Sequence, residues 1–218
     1  MEPEPIRLLI ADDHPVTRAG IRTVLSAAPD ICIVGEAQNG QEVQALVSQL
    51  HPRILLLDLR MPETHPAEIE CWVRTHVPET ITLVLTAHDH DAYLSSMMEA
   101  GAAGFLAKSE SAERLSAAIR RAASGEILFD DAQWVRAYRW RRDAGEKWES
   151  LTERERQALK LLAQGLSNKA IAEKLCVTSK TVAYHITNIL SKLGVASRQE
   201  AAAWAHAHLP VDLEKIPG

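Results

Sequence analysis

Gly165-Leu-Ser-Asn-Lys-Ala-Ile-Ala-Glu-Lys-Leu175, followed two residues later by Thr178-Ser-Lys-Thr-Val-Ala-Tyr-His-Ile186, decides how the C-terminal part of this chain folds. It reads as a short helix, a tight turn and a longer helix. Val182, Ile186, Ile189, Leu190 and Leu193 recur at helical spacing and should face a core. The opposite face carries Lys180, Thr181, Ala183, Tyr184, Thr187, Asn188 and Ser191. Upstream, Thr152 and Glu155 form a Thr-x-x-Glu capping box ahead of Leu159, Leu161 and Leu162, and Gly165 ends that helix. Thr178 caps the long helix, which stops at Gly194. Ser197 caps a fourth helix that runs through Trp204. The tail is thus expected to be a small all-α, four-helix domain.

A helix-turn-helix lays its second helix in the major groove of DNA, where the early residues reach base edges. Lys180 and Lys192 suit phosphates, and Asn188 suits backbone or base. An ordinary solvated helix face carries similar residues, so the face alone does not separate the two readings. Charge points toward DNA. Residues 150–218 carry a net +3, residues 126–149 carry −1 and residues 1–125 carry −7, within a total of −5. An acidic front repels a polyanion and a basic tail attracts it. A charge of only +3 argues against tight nonspecific binding by a single copy.

The front has a different rhythm. Short apolar runs at Ile6–Ala11, Ile31–Glu36, Ile54–Asp58, Ile81–Thr86 and Ala103–Leu106 alternate with helical patterns such as Val16–Ala27 and Gln41–Leu50. Strands so rich in Ile, Leu and Val are covered on both faces. Alternation with helices implies a doubly wound, parallel five-stranded α/β sheet. Ligands of such sheets bind beyond the carboxyl ends of the strands. Asp12 and Asp13 follow the first run, Asp58 the third, Thr86 ends the fourth and Lys108 follows the fifth. Any one of these acids alone reads as a turn former or helix cap. Five polar residues at the same strand ends read as one pocket. Clustered carboxylates favour Mg2+. A carboxylate can act as a nucleophile toward phosphorus, and Mg2+ and a lysine offset the transferring charge. A hydroxyl such as that of Thr86 gains a partner only once a phosphate is present, which is the differential contact a switch requires.

On these residues, 6–124 resemble the receiver domain of bacterial two-component response regulators, with the flavodoxin-like fold. The resemblance implies that Asp58, in Leu57-Asp58-Leu-Arg-Met-Pro62, accepts a phosphoryl group from a sensor histidine kinase. It also implies that Asp12, Asp13, Asp58 and the backbone carbonyl of Arg60 bind Mg2+. Thr86 and Lys108 match the switch hydroxyl and the phosphate-binding lysine, and Phe105 the aromatic that moves inward. The Lys108–Ser109 bond stands where the family has a cis peptide, although no proline follows. Residues 150–206 resemble the LuxR-type DNA-binding domain through Leu151-Thr-Glu-Arg-Glu155, Gly165 to Ala172, Lys180-Thr-Val182, His185 and Lys192-Leu-Gly-Val195. The pair is the layout of the NarL/FixJ class. It implies a cytoplasmic, phosphorylation-activated transcription regulator that binds double-stranded DNA as a homodimer through Lys180, Thr181, Ala183, Tyr184, Thr187, Asn188 and Lys192, with the last helix and Trp204 as dimer surface.

Two departures from the family pattern matter. Glu63-Thr-His-Pro-Ala67 replaces a glycine-containing turn, so the loop beside Asp58 is expected to be reshaped. Ala183 stands where lysine is frequent, which predicts an altered base preference. Both motivate a rival reading as a phosphorylation-independent regulator or protein-interaction module. An enzyme, a Mg2+-dependent phosphatase using Asp58, is the other rival. It lacks a recognisable general acid and substrate pocket, so the expectation is no enzyme.

The domains are therefore expected at 1–124, 125–149 and 150–218. The middle segment holds five of the ten aromatics, Phe129, Trp134, Tyr138, Trp140 and Trp148. Trp134, Val135 and Tyr138 share a helical face behind a cap at Asp130 or Asp131, with Gly125 and Gly145 bounding the ordered part. Such a helix either docks on another domain or a second copy, or packs on its own domain. His88-Asp-His-Asp91 reads as a loop ending in a capping aspartate, with a metal cluster as the sharper alternative. Cys32, Cys71 and Cys176 are odd in number and far apart, and are expected as reduced core thiols. No run of about 18 apolar residues occurs, so no membrane span is expected.

Overall fold

The computed structural model describes residues 4–62, 64–87 and 90–209. The chain forms two compact units, residues 1–89 with 93–134 and residues 90–92 with 135–218.

The first unit is built on β1 (Ile6–Ala11), β2 (Ile31–Ala37), β3 (Ile54–Leu57), β4 (Ile81–Thr86) and β5 (Gly104–Ala107), all parallel in the order β2-β1-β3-β4-β5. Between them run α1 (Pro15–Leu25), α2 (Gly40–Leu50), α3 (Pro66–His76) and α4 (Asp91–Ala100), and α5 (Ala112–Ala123) follows β5. β3 and all of β1 beyond Arg7 are covered because both faces meet helices: Leu8, Leu9, Ile10, Ile54, Leu55, Leu56 and Leu57 are at most 1% exposed. One core joins Leu8, Ile10, Ile54, Leu56, Leu83 and Leu85 of the sheet to Ile21 and Leu25 of α1 and Leu115 and Ile119 of α5.

The second unit contains α8 (Glu153–Ala163), α9 (Asn168–Leu175), α10 (Ser179–Leu193) and α11 (Arg198–His208). Its start and stop signals act as their chemistry requires. Thr152 and Glu155 exchange both capping-box hydrogen bonds, Ser167, Thr178 and Ser197 cap the next three helices, and Gly194 ends α10 at φ 68°. α11 runs one turn beyond Trp204, whose indole stacks on His208 at 4.8 Å while Leu209 is buried.

α6 (Asp131–Trp140) continues through a π-helical turn at Arg141–Gly145 into α7 (Glu146–Glu149). Asp130 is its cap, accepting from the Gln133 amide at 2.7 Å. Gly145 is no boundary, because the helical path passes straight through it. The aromatics part company along this rod. Trp140 and Trp148 pack against the core of the second unit, and the Trp140 indole donates to the His208 carbonyl at 2.9 Å. Trp134, Val135 and Tyr138 remain 52%, 56% and 70% exposed, with Trp134 edge-on to Phe129 at 6.0 Å.

Two expectations are corrected. Cys32, Cys71 and Cys176 are free, as expected, but exposed rather than in the core. Cys32 lies on the edge strand β2, which is buried mainly at its ends, and Cys176 is the left-handed cap of α9. The Lys108–Ser109 peptide is trans, as are all others among the described residues, since without proline nothing lowers the cost of the cis form. In the loop after Met61 none of residues 64–67 is left-handed: His65 is extended at φ −70° and Pro66 opens α3. Glu63 lies outside the described residues.

Candidate functional site

Ladder hydrogen bonds carry the polar residues just past the strand ends. The Asp12 amide donates to Ala37 O (3.1 Å), the Asp58 amide to Ala11 O (2.8 Å) and the Lys108 amide to Thr86 O (2.7 Å). These bonds fix Asp12, Asp58 and Lys108 at the carboxyl edge, where β1, β3, β4 and β5 lie side by side. Lys108 Nζ then reaches Asp12 Oδ2 at 2.7 Å and Asp58 Oδ2 at 2.9 Å. Asp12 and Asp58 are 1% and 3% exposed, and Asp13 stands at the pocket's open side.

Burial pushes the Asp58 carboxyl above its ordinary range, against the pull of Lys108, while the field of Asp12 adds to the rise and the Arg60 backbone N–H opposes it. Burial lowers the Lys108 ammonium, but its bonds to Asp12 and Asp58 outweigh this and raise it overall. The lysine is therefore a fixed positive charge beside a desolvated carboxylate. Three carboxylates and one ammonium leave a formal surplus of negative charge. Asp12 Oδ2 and Asp13 Oδ1 are buried, yet neither accepts a well-directed hydrogen bond. Such a donor set fits a hard divalent cation.

Thr86 ends β4 at 2% exposure, and Phe105, three residues before Lys108, is buried at 4%. The Phe105 carbonyl accepts from Gln133 Nε2 at 3.0 Å. Of the residues expected at this site, Asp12, Asp13, Asp58 and Lys108 converge, with the Arg60 backbone against Asp58. Thr86 and Phe105 stand on the adjoining strands.

Four polar residues of the first unit were not singled out from the sequence, three of them at this site. His14 Nδ1 is 2.5 Å from Asp13 Oδ1, and atoms of Asp12, Asp13, His14 and Asp58 all lie within 4.8 Å of one another. Arg18 is 8% exposed and donates to the Asp12 carbonyl at 2.7 Å and to Glu36 at 3.0 Å, bracing the acid pair from behind. Tyr93 of α4 is half-buried, and burial raises its hydroxyl pKa, with Arg60 opposing and Asp58 adding to the shift. Away from this edge, Glu70 of α3 is wholly buried near Thr82 of β4, and neither of its oxygens makes a well-directed hydrogen bond. His14 was legible, since it directly follows the acid pair. Arg18 and Tyr93 become neighbours of the acids only in three dimensions. His88 and Asp89 lie outside the described residues, and the one candidate metal cluster among the described residues is that of Asp12, Asp13, His14 and Asp58.

In the second unit, Val182, Ile186, Ile189 and Leu193 form the buried face of α10. Lys180, Ala183, Tyr184 and Thr187 are exposed, and Thr181 and Asn188 are half-buried. Two hydroxyls are already engaged: Thr187 donates to Ala183 O at 3.0 Å, and Thr181 meets Thr178 at 2.9 Å. Lys192 differs from the rest. Its Nζ is 2.6 Å from Glu155, whose carboxylate also accepts from the Thr152 amide at 2.8 Å. Burial raises Glu155, but the Lys192 and Thr152 bonds outweigh it and hold the carboxyl at about 2. Lys192 thus clamps α10 to α8.

Residues 8–120 match the family described as response regulator receiver domain, and residues 149–205 match bacterial regulatory proteins of the luxR family. The nitrate/nitrite response regulator NarL of Escherichia coli (strain K12) is 38% identical over 211 residues, covering 93% of this chain and 96% of that protein. The transcriptional regulatory protein LiaR of Bacillus subtilis (strain 168) is 39% identical over 204 residues, covering 92% and 97%. The solved structure of ChrA, a response regulator in a heme-sensing two-component system, superposes with TM-score 0.55 at 30% identity, covering 94% and 98%. No helix of the described residues is long and apolar enough to cross a membrane. The chain belongs to the NarL/FixJ class of two-component response regulators, a receiver domain followed by a LuxR-type DNA-binding domain.

Proposed function

We propose that Asp58 is the phosphoacceptor and that its phosphorylation controls DNA binding by α10. The observation that carries this is the bridge of Lys108 Nζ to Asp12 at 2.7 Å and Asp58 at 2.9 Å, at the carboxyl edge of the sheet. An oxygen of Asp58 attacks the phosphorus of a phosphohistidine on a cognate sensor kinase. The phosphorus–oxygen bond forms as the phosphorus–nitrogen bond breaks, and the imidazole leaves. Lys108, freed from the Asp58 oxygen, neutralises the new phosphoryl oxygens. Asp12, Asp13, Asp58 and the Arg60 carbonyl would hold Mg2+, which when bound offsets phosphoryl charge. The Thr86 hydroxyl donates to the phosphoryl group, and Phe105 takes up the space it leaves.

Lys180, Thr181, Ala183, Tyr184, Thr187 and Asn188 meet DNA, and two copies read paired half-sites. Tyr184 or the Thr187 methyl replaces a lysine–guanine contact with apolar contact to thymine. Lys192 contributes chiefly through Glu155. The protein acts in the cytoplasm and turns over no external substrate.

The test is retention on a library of duplex DNA by wild type and Asp58→Ala, each treated with a small acyl-phosphate donor and Mg2+. Only phosphorylated wild type is expected to enrich a defined, roughly palindromic site. Equal enrichment by both would make α10 a DNA reader that Asp58 does not switch, the phosphorylation-independent reading.

A further inference from the structure

We propose that His14 sets the metal preference of the receiver pocket. Its imidazole turns an all-oxygen site into a mixed nitrogen and oxygen site that favours borderline ions such as Co2+ or Zn2+ beyond what the carboxylates alone would do. The inference rests on the reading of Asp12, Asp13 and Asp58 as a cation site.

His14 is held in place for this by its neighbours. Pro15 is the first residue of α1, and the His14 amide donates to Asp12 Oδ1 at 2.8 Å. His14 is therefore the cap residue of α1, yet its side chain makes no capping hydrogen bond, whereas Asn39, Ser111, Thr152, Ser167, Thr178 and Ser197 all do so for their helices. The ring turns back to the acids instead, with Nδ1 at 2.5 Å from Asp13 Oδ1 and 3.4 Å from Asp12 Oδ1. Lys108 occupies the other oxygen of Asp12, so lysine and imidazole approach that carboxylate from different sides.

One donor atom from each of Asp12, Asp13, His14 and Asp58 falls within 4.8 Å of the others. Ligand atoms bound at roughly 2.1 Å to one ion lie about 3 Å apart when adjacent and about 4.2 Å apart when opposite, so closing the widest separation slightly and opening the 2.5 Å His14–Asp13 pair gathers all four around a single cation. Mg2+ is a hard ion that takes oxygen and keeps its waters. Imidazole suits Zn2+, Co2+ and their neighbours. Mg2+ gains little from a nitrogen donor, so the imidazole adds a bond that chiefly the softer ions exploit. If His14 served only to brace Asp13, its loss would weaken every divalent ion alike.

The experiment titrates full-length wild type, His14→Ala and His14→Asn with Mg2+ and with Co2+ by calorimetry, reading the Co2+ absorption bands in parallel. Carboxylates alone already prefer Co2+ to some degree, so the quantity of interest is the ratio of affinities in each protein. The expected result is a Co2+-over-Mg2+ preference about tenfold or more larger in wild type than in either variant. Mg2+ affinity should stay within about twofold, and the Co2+ bands should shift on loss of the nitrogen ligand. An unchanged ratio, or a parallel loss of both ions, overturns the role of His14 and leaves the acidic cation site standing. Failure of wild type to bind either ion overturns the cation site itself, and His14 with it.

Discussion

Glu70 shows what one misplaced charge does to a core. It is 0% exposed, neither oxygen makes a well-directed hydrogen bond, and burial raises its carboxyl to about 7, against the smaller pulls of Thr82 and Arg74. The folded receiver therefore binds this proton more tightly than the unfolded chain does. Its contribution to stability is complete below the ordinary carboxyl range of about 4.5 and is lost as pH rises through about 7. Urea unfolding of wild type should show receiver stability falling between those values, by at most roughly 1.4 kcal/mol per pH unit. Glu70→Gln should flatten that slope, and an equally steep slope in the variant would refute the assignment. Gly104 tests packing at the same scale. A Cβ there would lie 2.9 Å from Leu128 Cβ and 3.1 Å from Leu83 Cδ2, so Gly104→Ala should destabilise the receiver by about 1–3 kcal/mol in the same assay. Neither residue advertised itself in the sequence. Glu70 sits among ordinary helix residues, and the crowding at Gly104 comes from a residue 24 positions later.

At the scale of elements, the helices of the tail were legible because their signals are local. Thr152, Ser167, Thr178 and Ser197 cap within three residues of the amides they satisfy, and Gly194 supplies the left-handed stop. Thr152→Ala should cost the tail domain about 1 kcal/mol by thermal unfolding. The partner of Lys192 was not legible, since Glu155 lies 37 residues away on α8. That pairing yields a contrast between two lysines of one helix. Lys180→Ala should lower the salt dependence of DNA binding by about one unit of slope, the signature of a lost phosphate contact. Lys192→Met should leave the slope unchanged and instead destabilise the fold, because Glu155 would stay buried without its cation. Since Glu155 is held at about 2, wild type keeps this contribution above about 4.5 and loses it as the pH falls toward 2. Equal slopes for wild type and Lys180→Ala would remove Lys180 from the DNA face.

For the whole molecule, two separate cores mean two separable stabilities. Leu56 belongs to one core and Ile189 to the other, each at most 1% exposed. Scanning calorimetry should resolve two transitions, with Leu56→Ala lowering only the receiver's and Ile189→Ala only the tail's, each by about 2–5 kcal/mol. A single transition shifted by both would argue against independent units. Sequence patterns alone fixed the fold class, the order of the strands along the chain, the four helices of the tail and the strand ends at which Asp12, Asp58, Thr86 and Lys108 stand. Periodicity, caps and strand composition are short-range properties, and a parallel sheet puts its strand ends together by construction. Only the tertiary structure decided which side chains meet. It set Arg18 between Asp12 and Glu36, tied Lys192 to Glu155 and sealed Glu70 in the core. It also divided the aromatics between a packed pair, Trp140 and Trp148, and an exposed pair, Trp134 and Tyr138. Those outcomes depend on distances between residues far apart in the chain, and on which face of each helix finds a neighbour, which no local pattern encodes.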